Sequence, residues 1–193
     1  NVTTAGNQNY SVNETNWQLV VNPITSAPTI LLNGVGANLS ITYPQQSNIS
    51  ISGNQSATTI KVNGSIQNAG QNYTIGGGGW VANVSVASSQ NYTVNETYWG
   101  VTMNKATGSV KLKLNNIEGN ITLTEGANAL LNGTLVTGDS LAILQLFRNE
   151  TQINQGTTEV SNTSTFSQVF YFNITVIALT TQNYSQSSAT YWI

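Results

Sequence analysis

The sequence has no cysteine and no histidine, one methionine and a single aspartate, Asp139. Disulfide frameworks, thiolate or imidazole metal sites, cysteine nucleophiles and histidine-based triads are therefore excluded. Charge is almost as scarce. Five cations and seven anions make up 6% of the 193 residues, against roughly 25% in an ordinary soluble domain. Five cations cannot neutralise a run of phosphates, so nucleic-acid binding is excluded as well. No stretch approaches the ~18 apolar residues of a membrane helix; the best run is Leu141-Ala142-Ile143-Leu144, followed by Leu146-Phe147. The opening residues Asn1-Val2-Thr3-Thr4 show neither a basic end nor an apolar stretch. For an exported protein, the expectation is a processed form.

What fills the chain instead is neutral polarity. Asn, Thr, Ser and Gln supply 86 residues, Asn alone 27, while 39% of residues are hydrophobic, enough for a core. The asparagines are ordered. Asn-X-Ser/Thr occurs 17 times, where random order of the same residues would give roughly six. The acceptors are Asn1, Asn9, Asn13, Asn38, Asn48, Asn54, Asn63, Asn72, Asn83, Asn91, Asn95, Asn120, Asn132, Asn149, Asn162, Asn173 and Asn183. Such density predicts covalent N-linked glycans and an extracellular location.

Hydrophobicity alternates with period two, the signature of half-buried strands. Leu39, Ile41 and Tyr43 share one face and the sequon Asn38 lies on the other. Asn48–Ser52 and Asn120–Thr124 repeat this pattern, as do Trp80, Ala82, Val84 and Val86 around Asn83. Phe170, Phe172, Ile174, Val176 and Ala178 alternate around Asn173. A glycan cannot enter a core, so the sequons check the register independently. Asn33-Gly34, Asn63-Gly64 and Asn132-Gly133 read as hairpin turns. The fold class expected is all-β, an antiparallel immunoglobulin-like sandwich, with strands that include 17–21, 120–124 and 165–179.

One segment returns. Gln8–Trp17 and Gln90–Trp99 agree at eight of ten positions, 82 residues apart, with shorter echoes at Gln71–Thr74 and Gln182–Ser185. The repeat predicts two tandem units, 16–89 and 90–193, after a tail of residues 1–15; one sandwich over 16–193 is the alternative. In both copies the apolar face changes parity before the tryptophan, which marks a bulge, a bend or a change of sheet. Residues 90–97 then connect one unit to the next. By analogy residues 1–15 connect to a unit of another molecule, as a donor strand with Val2, Thr4, Tyr10 and Val12 filling pockets. A head-to-tail contact of this kind propagates into a homopolymer of identical subunits.

These traits resemble those of the archaeal threads, thin extracellular filaments of the Sulfolobales. Shared are a helix-free N-terminus, a cysteine-free β-rich body of this size, a dense sequon array and very few charges. The resemblance implies assembly by donor-strand complementation and a role in surface adhesion, cell contact or biofilm formation. Scarce carboxylates also suit an acidic habitat, because acid unfolds proteins mostly by protonating paired carboxylates. The alternatives are a secreted carbohydrate-binding module and a surface-layer protein. Against sugar stacking, Trp17, Trp80 and Trp99 share faces with Leu, Val or Met, which favours core packing. Glu14, Glu96 and Glu150 lie inside sequons and the other acids show no pairing, so no enzyme, cofactor or metal is expected.

Overall fold

The computed structural model describes residues 1–53 and 58–193, so the acceptor Asn54 lies outside the described residues. Three short strands come first: β1 (Val2–Thr4), β2 (Asn13–Thr15) and β3 (Ile24–Thr25). A first sandwich follows, with β4 (Thr29–Leu32), β5 (Leu39–Thr42), β6 (Ser47–Ser52), β7 (Thr58–Val62), β8 (Ser65–Gln67), β9 (Gln71–Tyr73), β10 (Gly78–Val86), β11 (Tyr92–Thr93) and β12 (Asn95–Asn104). The second sandwich comprises β13 (Ser109–Leu114), β14 (Ala127–Thr137), β15 (Leu144–Arg148), β16 (Thr151–Gly156), β17 (Glu159–Phe166), β18 (Asn173–Ala178) and β19 (Ser187–Trp192).

Both sandwiches have one design. In the second, the sheet β13-β14-β17 packs on β16-β15-β18-β19. In the first, β4-β6-β9 packs on β8-β7-β10-β12, and β5 adds a parallel edge strand beside β12. This is the immunoglobulin-like arrangement of a three-stranded and a four-stranded antiparallel sheet. The fold expected from alternation is thus the fold found.

The cores explain why two units form. One apolar cluster draws on residues from Ile30 to Val101, the other on residues from Leu112 to Ala178, and they share no member. Each fully buried Leu, Ile or Val contributes roughly 1.5–3 kcal/mol, so either cluster can hold its own sandwich. The boundary differs from the expected one at residue 90. Strand β12 supplies Val101 to the first core and pairs with β10 along its length, so it closes the first unit. The parity change falls between β11, which pairs with β3, and β12.

Asparagine has a structural task here as well. Asn33-Gly34 and Asn63-Gly64 have both φ positive, as do Asn115-Asn116 and Asn149-Glu150. Each pair turns a two-residue hairpin of the kind whose twist matches the strands. In each, the first asparagine accepts a hydrogen bond on Oδ1 from a backbone N–H of a neighbouring strand. The donors are Asn48, Val81, Leu130 and Asn173, at 2.7–2.9 Å. Asn132-Gly133 is not a turn. It lies within β14, where Gly133 lets the opposite sheet approach.

Three further expectations fail for packing reasons. Residues 17–21 form no strand, since no neighbour lies beside them and Trp17 is 84% exposed. Residues 120–124 form no strand either; they reach β19 at Trp192, whose carbonyl accepts from the Ile121 N–H and whose N–H donates to Asn120 Oδ1. The stretch 165–179 is the end of β17, a loop and β18, which leaves Phe170 exposed instead of inward.

Candidate functional site

Among the described residues, no cleft gathers the ionisable groups. Glu118 pairs with Lys111 at 3.0 Å on the surface, and Glu14, Glu96 and Glu159 each accept from a cross-strand asparagine amide. The features with functional content are the sequon surface, the joint between the sandwiches, and the segment before the first sandwich.

None of the 16 described sequon asparagines is buried. Asn38, Asn63, Asn72, Asn120 and Asn149 are exposed on both sandwiches, while Asn48, Asn83, Asn132, Asn162 and Asn173 are half-buried on outer strand faces. The side-chain alternation that buries Ile49, Val84, Leu131 and Ile174 turns their sequon neighbours outward.

Asn183 differs. It lies at the joint, where its Oδ1 accepts from the Gly77 N–H at 3.0 Å and its Nδ2 donates to Asp139 at 3.2 Å. Asp139 also accepts from the Thr181 hydroxyl. The Gln182 amide reaches the Gly77 carbonyl at 3.4 Å, and Tyr184 meets Tyr43 edge to face, ring centroids 5.5 Å apart. The glycines are required by this approach: a Cβ on Gly77 would sit 2.1 Å from the Gln182 carbonyl oxygen. Nothing in the local sequence announced Asp139 or Gly77 as partners. The signal lay in the recurrence of Gln-Asn-Tyr at 90 and 182.

The segment before the first sandwich is a hairpin. β1 and β2 pair antiparallel, Val2 opposite Thr15 and Thr4 opposite Asn13. Val2, Thr4, Tyr10 and Val12, the residues expected to enter a neighbour, are all exposed. Beyond β2, Trp17, Leu19 and Val21 are 84%, 87% and 82% exposed. The expectation of a core-packed Trp17 is corrected, because no sheet covers it. Burial of each of these side chains would contribute about 1.5–3 kcal/mol.

In both sandwiches the last strand pairs antiparallel with an earlier one, β12 with β10 and β19 with β18. A short apolar groove of about 620 Å³ is open beside Ile121 and Leu123, floored by Phe166 and Phe172 and edged by Val169 and Ile193. In the first sandwich the corresponding place holds the end of β12, with Met103 buried.

No protein-family profile and no curated protein matches this sequence. Among solved structures, the chain is similar to fibronectin(III)-like modules of Clostridium thermocellum CbhA. The identity is 13% and the TM-score 0.34, over 86% of this chain and 93% of that one. It is also similar to apo β-glucuronidase 3 of Bacteroides uniformis, at 9% identity and TM-score 0.31, over 86% of this chain and 24% of the enzyme.

Proposed function

We propose that this chain is a structural, N-glycosylated component of an extracellular filament that serves adhesion or cell contact. The observation that carries the reading is the joint. Two like sandwiches are fixed end to end through Asn183, Gly77, Asp139 and the Tyr43–Tyr184 pair, a connection suited to bearing load along a series. Around that series, the sequon asparagines other than Asn183 are exposed or half-buried, most of them on outer faces. Scarce charge adds to the reading, since among the described residues one ion pair is present and it is exposed. Exposed pairs are worth about 0–1 kcal/mol, so the fold depends on strand ladders and apolar packing, which acid does not titrate.

Electron microscopy of appendages sheared from the producing cells tests this. An antibody against the second sandwich is expected to decorate thin filaments along their length. Signal confined to the cytosolic fraction, with filaments unlabelled, would contradict it.

A further inference from the structure

We infer that Trp192 and Tyr98 are seats for the chain's own N-linked sugar. The first pyranose on Asn173 packs flat on the Trp192 indole, and that on Asn83 packs on the Tyr98 ring. This rests on the glycosylated reading above and names where that sugar lies on the protein.

Sheet register brings each acceptor to its ring. Asn173 is the cross-strand partner of Trp192, and Asn83 that of Tyr98. Both pairs stand on the outer face of the larger sheet, since the neighbouring Ile174 and Val84 point into the cores. Phe172 and Ile193 exchange both backbone hydrogen bonds, each at 2.9 Å. By alternation Asn173 and Trp192 are a non-hydrogen-bonded pair, the kind whose Cα atoms lie about 4.5 Å apart and whose side chains come closest. Asn83 and Tyr98 are of the same kind, because the Gly100 N–H two residues on is turned away to Asn38 Oδ1 at 2.8 Å.

A single exposed aromatic is ordinary; the pairing is not. Tyr98 is 67% exposed and Trp192 46%. The Trp192 N–H donates to Asn120 Oδ1 at 2.9 Å as the Gly100 N–H donates to Asn38, so Trp192 and Gly100 hold equivalent positions. Opposite Gly100 stands Val81, which is no acceptor. Two pairs along, where the first sandwich has Asn83 opposite Tyr98, the second has Thr175 opposite Thr190. At each of the two places, acceptor and ring occur together in one sandwich and are both missing from the other.

The chemistry suits a sugar. A pyranose has a face of C–H groups and a rim of hydroxyls, so it can cover an aromatic ring and keep its rim in water. Beside Trp192 lies an open cavity of about 310 Å³, lined also by Asn149, Glu150, Phe170, Tyr171 and Asn173. The Glu150 carboxylate and the Asn149 amide offer partners for rim hydroxyls. The stem is already fixed: the Asn173 N–H donates to Asn149 Oδ1, and the Asn173 carbonyl accepts from the Asn149 N–H, both at 2.9 Å. A stem held in place loses little freedom when its sugar settles.

A double-mutant cycle on the full chain tests this, with Asn173→Gln and Trp192→Ala made singly and together. Each protein is prepared in the producing cells and in a bacterial host that adds no N-linked sugar. Calorimetry follows the second sandwich. In the glycoprotein the double variant is expected to lose at least about 4 °C less than the sum of the single losses. In the sugar-free protein the losses should add to within about 2 °C. Additive losses in the glycoprotein would overturn the inference, as would a bare Asn173 beside other acceptors that carry sugar in mass spectrometry. Either result leaves the filament reading standing, whereas acceptors bare throughout would defeat both. Where a variant does not fold, the parent glycoprotein decides: NOEs from the Asn173-linked sugar to the Trp192 indole support the inference, and their absence overturns it.

Discussion

Gly133→Val is expected to lower the melting temperature of the second sandwich by roughly 10–20 °C. Gly133 lies inside β14 on its buried face. A Cβ there would stand 2.5 Å from Val176 Cγ2 and 3.2 Å from Val160 Cγ1. Val176 belongs to β18 of the opposite sheet and Val160 to the neighbouring strand β17, so the new methyl groups would wedge the two sheets apart. Overpacking of a dense core costs about 1–3 kcal/mol, and each kcal/mol moves a domain of this size by about 4–8 °C. Val176→Ala should restore part of the loss in the double variant, because it removes the atoms met first. Calorimetry of the four proteins of this cycle measures the coupling. A Gly133→Val protein as stable as its parent would mean that the two sheets are farther apart than described.

Leu32→Ala is expected to split the unfolding of the chain into two transitions. Leu32 is buried in the first core, packed among residues such as Ile30, Ile49 and Val84, and none of that cluster belongs to the second core. Truncation of a buried leucine costs about 2–5 kcal/mol. The first sandwich should therefore melt at least roughly 10 °C earlier, while the second keeps its midpoint within about 2 °C. Residue-resolved hydrogen exchange assigns the transitions. β12 should open with the first sandwich, since Val101 belongs to that core and β12 pairs with β10. If β12 opens with the second sandwich instead, the boundary drawn after Asn104 is wrong.

The sandwich architecture was legible because alternation is a local property. Ile49, Ile51, Val84, Val86, Ile174 and Val176 show their faces in the sequence, and the sequons confirm which face is outer. The unit boundary was harder. Gln90–Trp99 repeats Gln8–Trp17, but a repeat fixes the period and not the phase, and it is the pairing of β12 with β10 that fixes the phase. Two turns were missed for want of glycine. Asn115-Asn116 and Asn149-Glu150 adopt the conformation of Asn63-Gly64, with the asparagine Oδ1 anchored to the adjacent strand. Asn132-Gly133 misled for the opposite reason, since the glycine there serves close packing. The joint was illegible because Asp139, Gly77 and Asn183 meet only once the sandwiches are set end to end.

Asparagine thus has three tasks in this chain, and Asn63 and Asn149 combine the first and the last of them. Some residues, such as Asn33 and Asn115, turn hairpins and tie them to the next strand. Asn183 locks the joint with both atoms of its amide. Most sequon asparagines point outward and form the surface that the proposed function requires. Intact-glycopeptide mass spectrometry of the protein recovered from the cell exterior separates these roles most directly. The account predicts sugar on exposed acceptors such as Asn38, Asn72 and Asn149, with Asn183 bare in the folded joint. Acceptors that are uniformly unmodified in the native protein would contradict the account of a glycosylated extracellular filament.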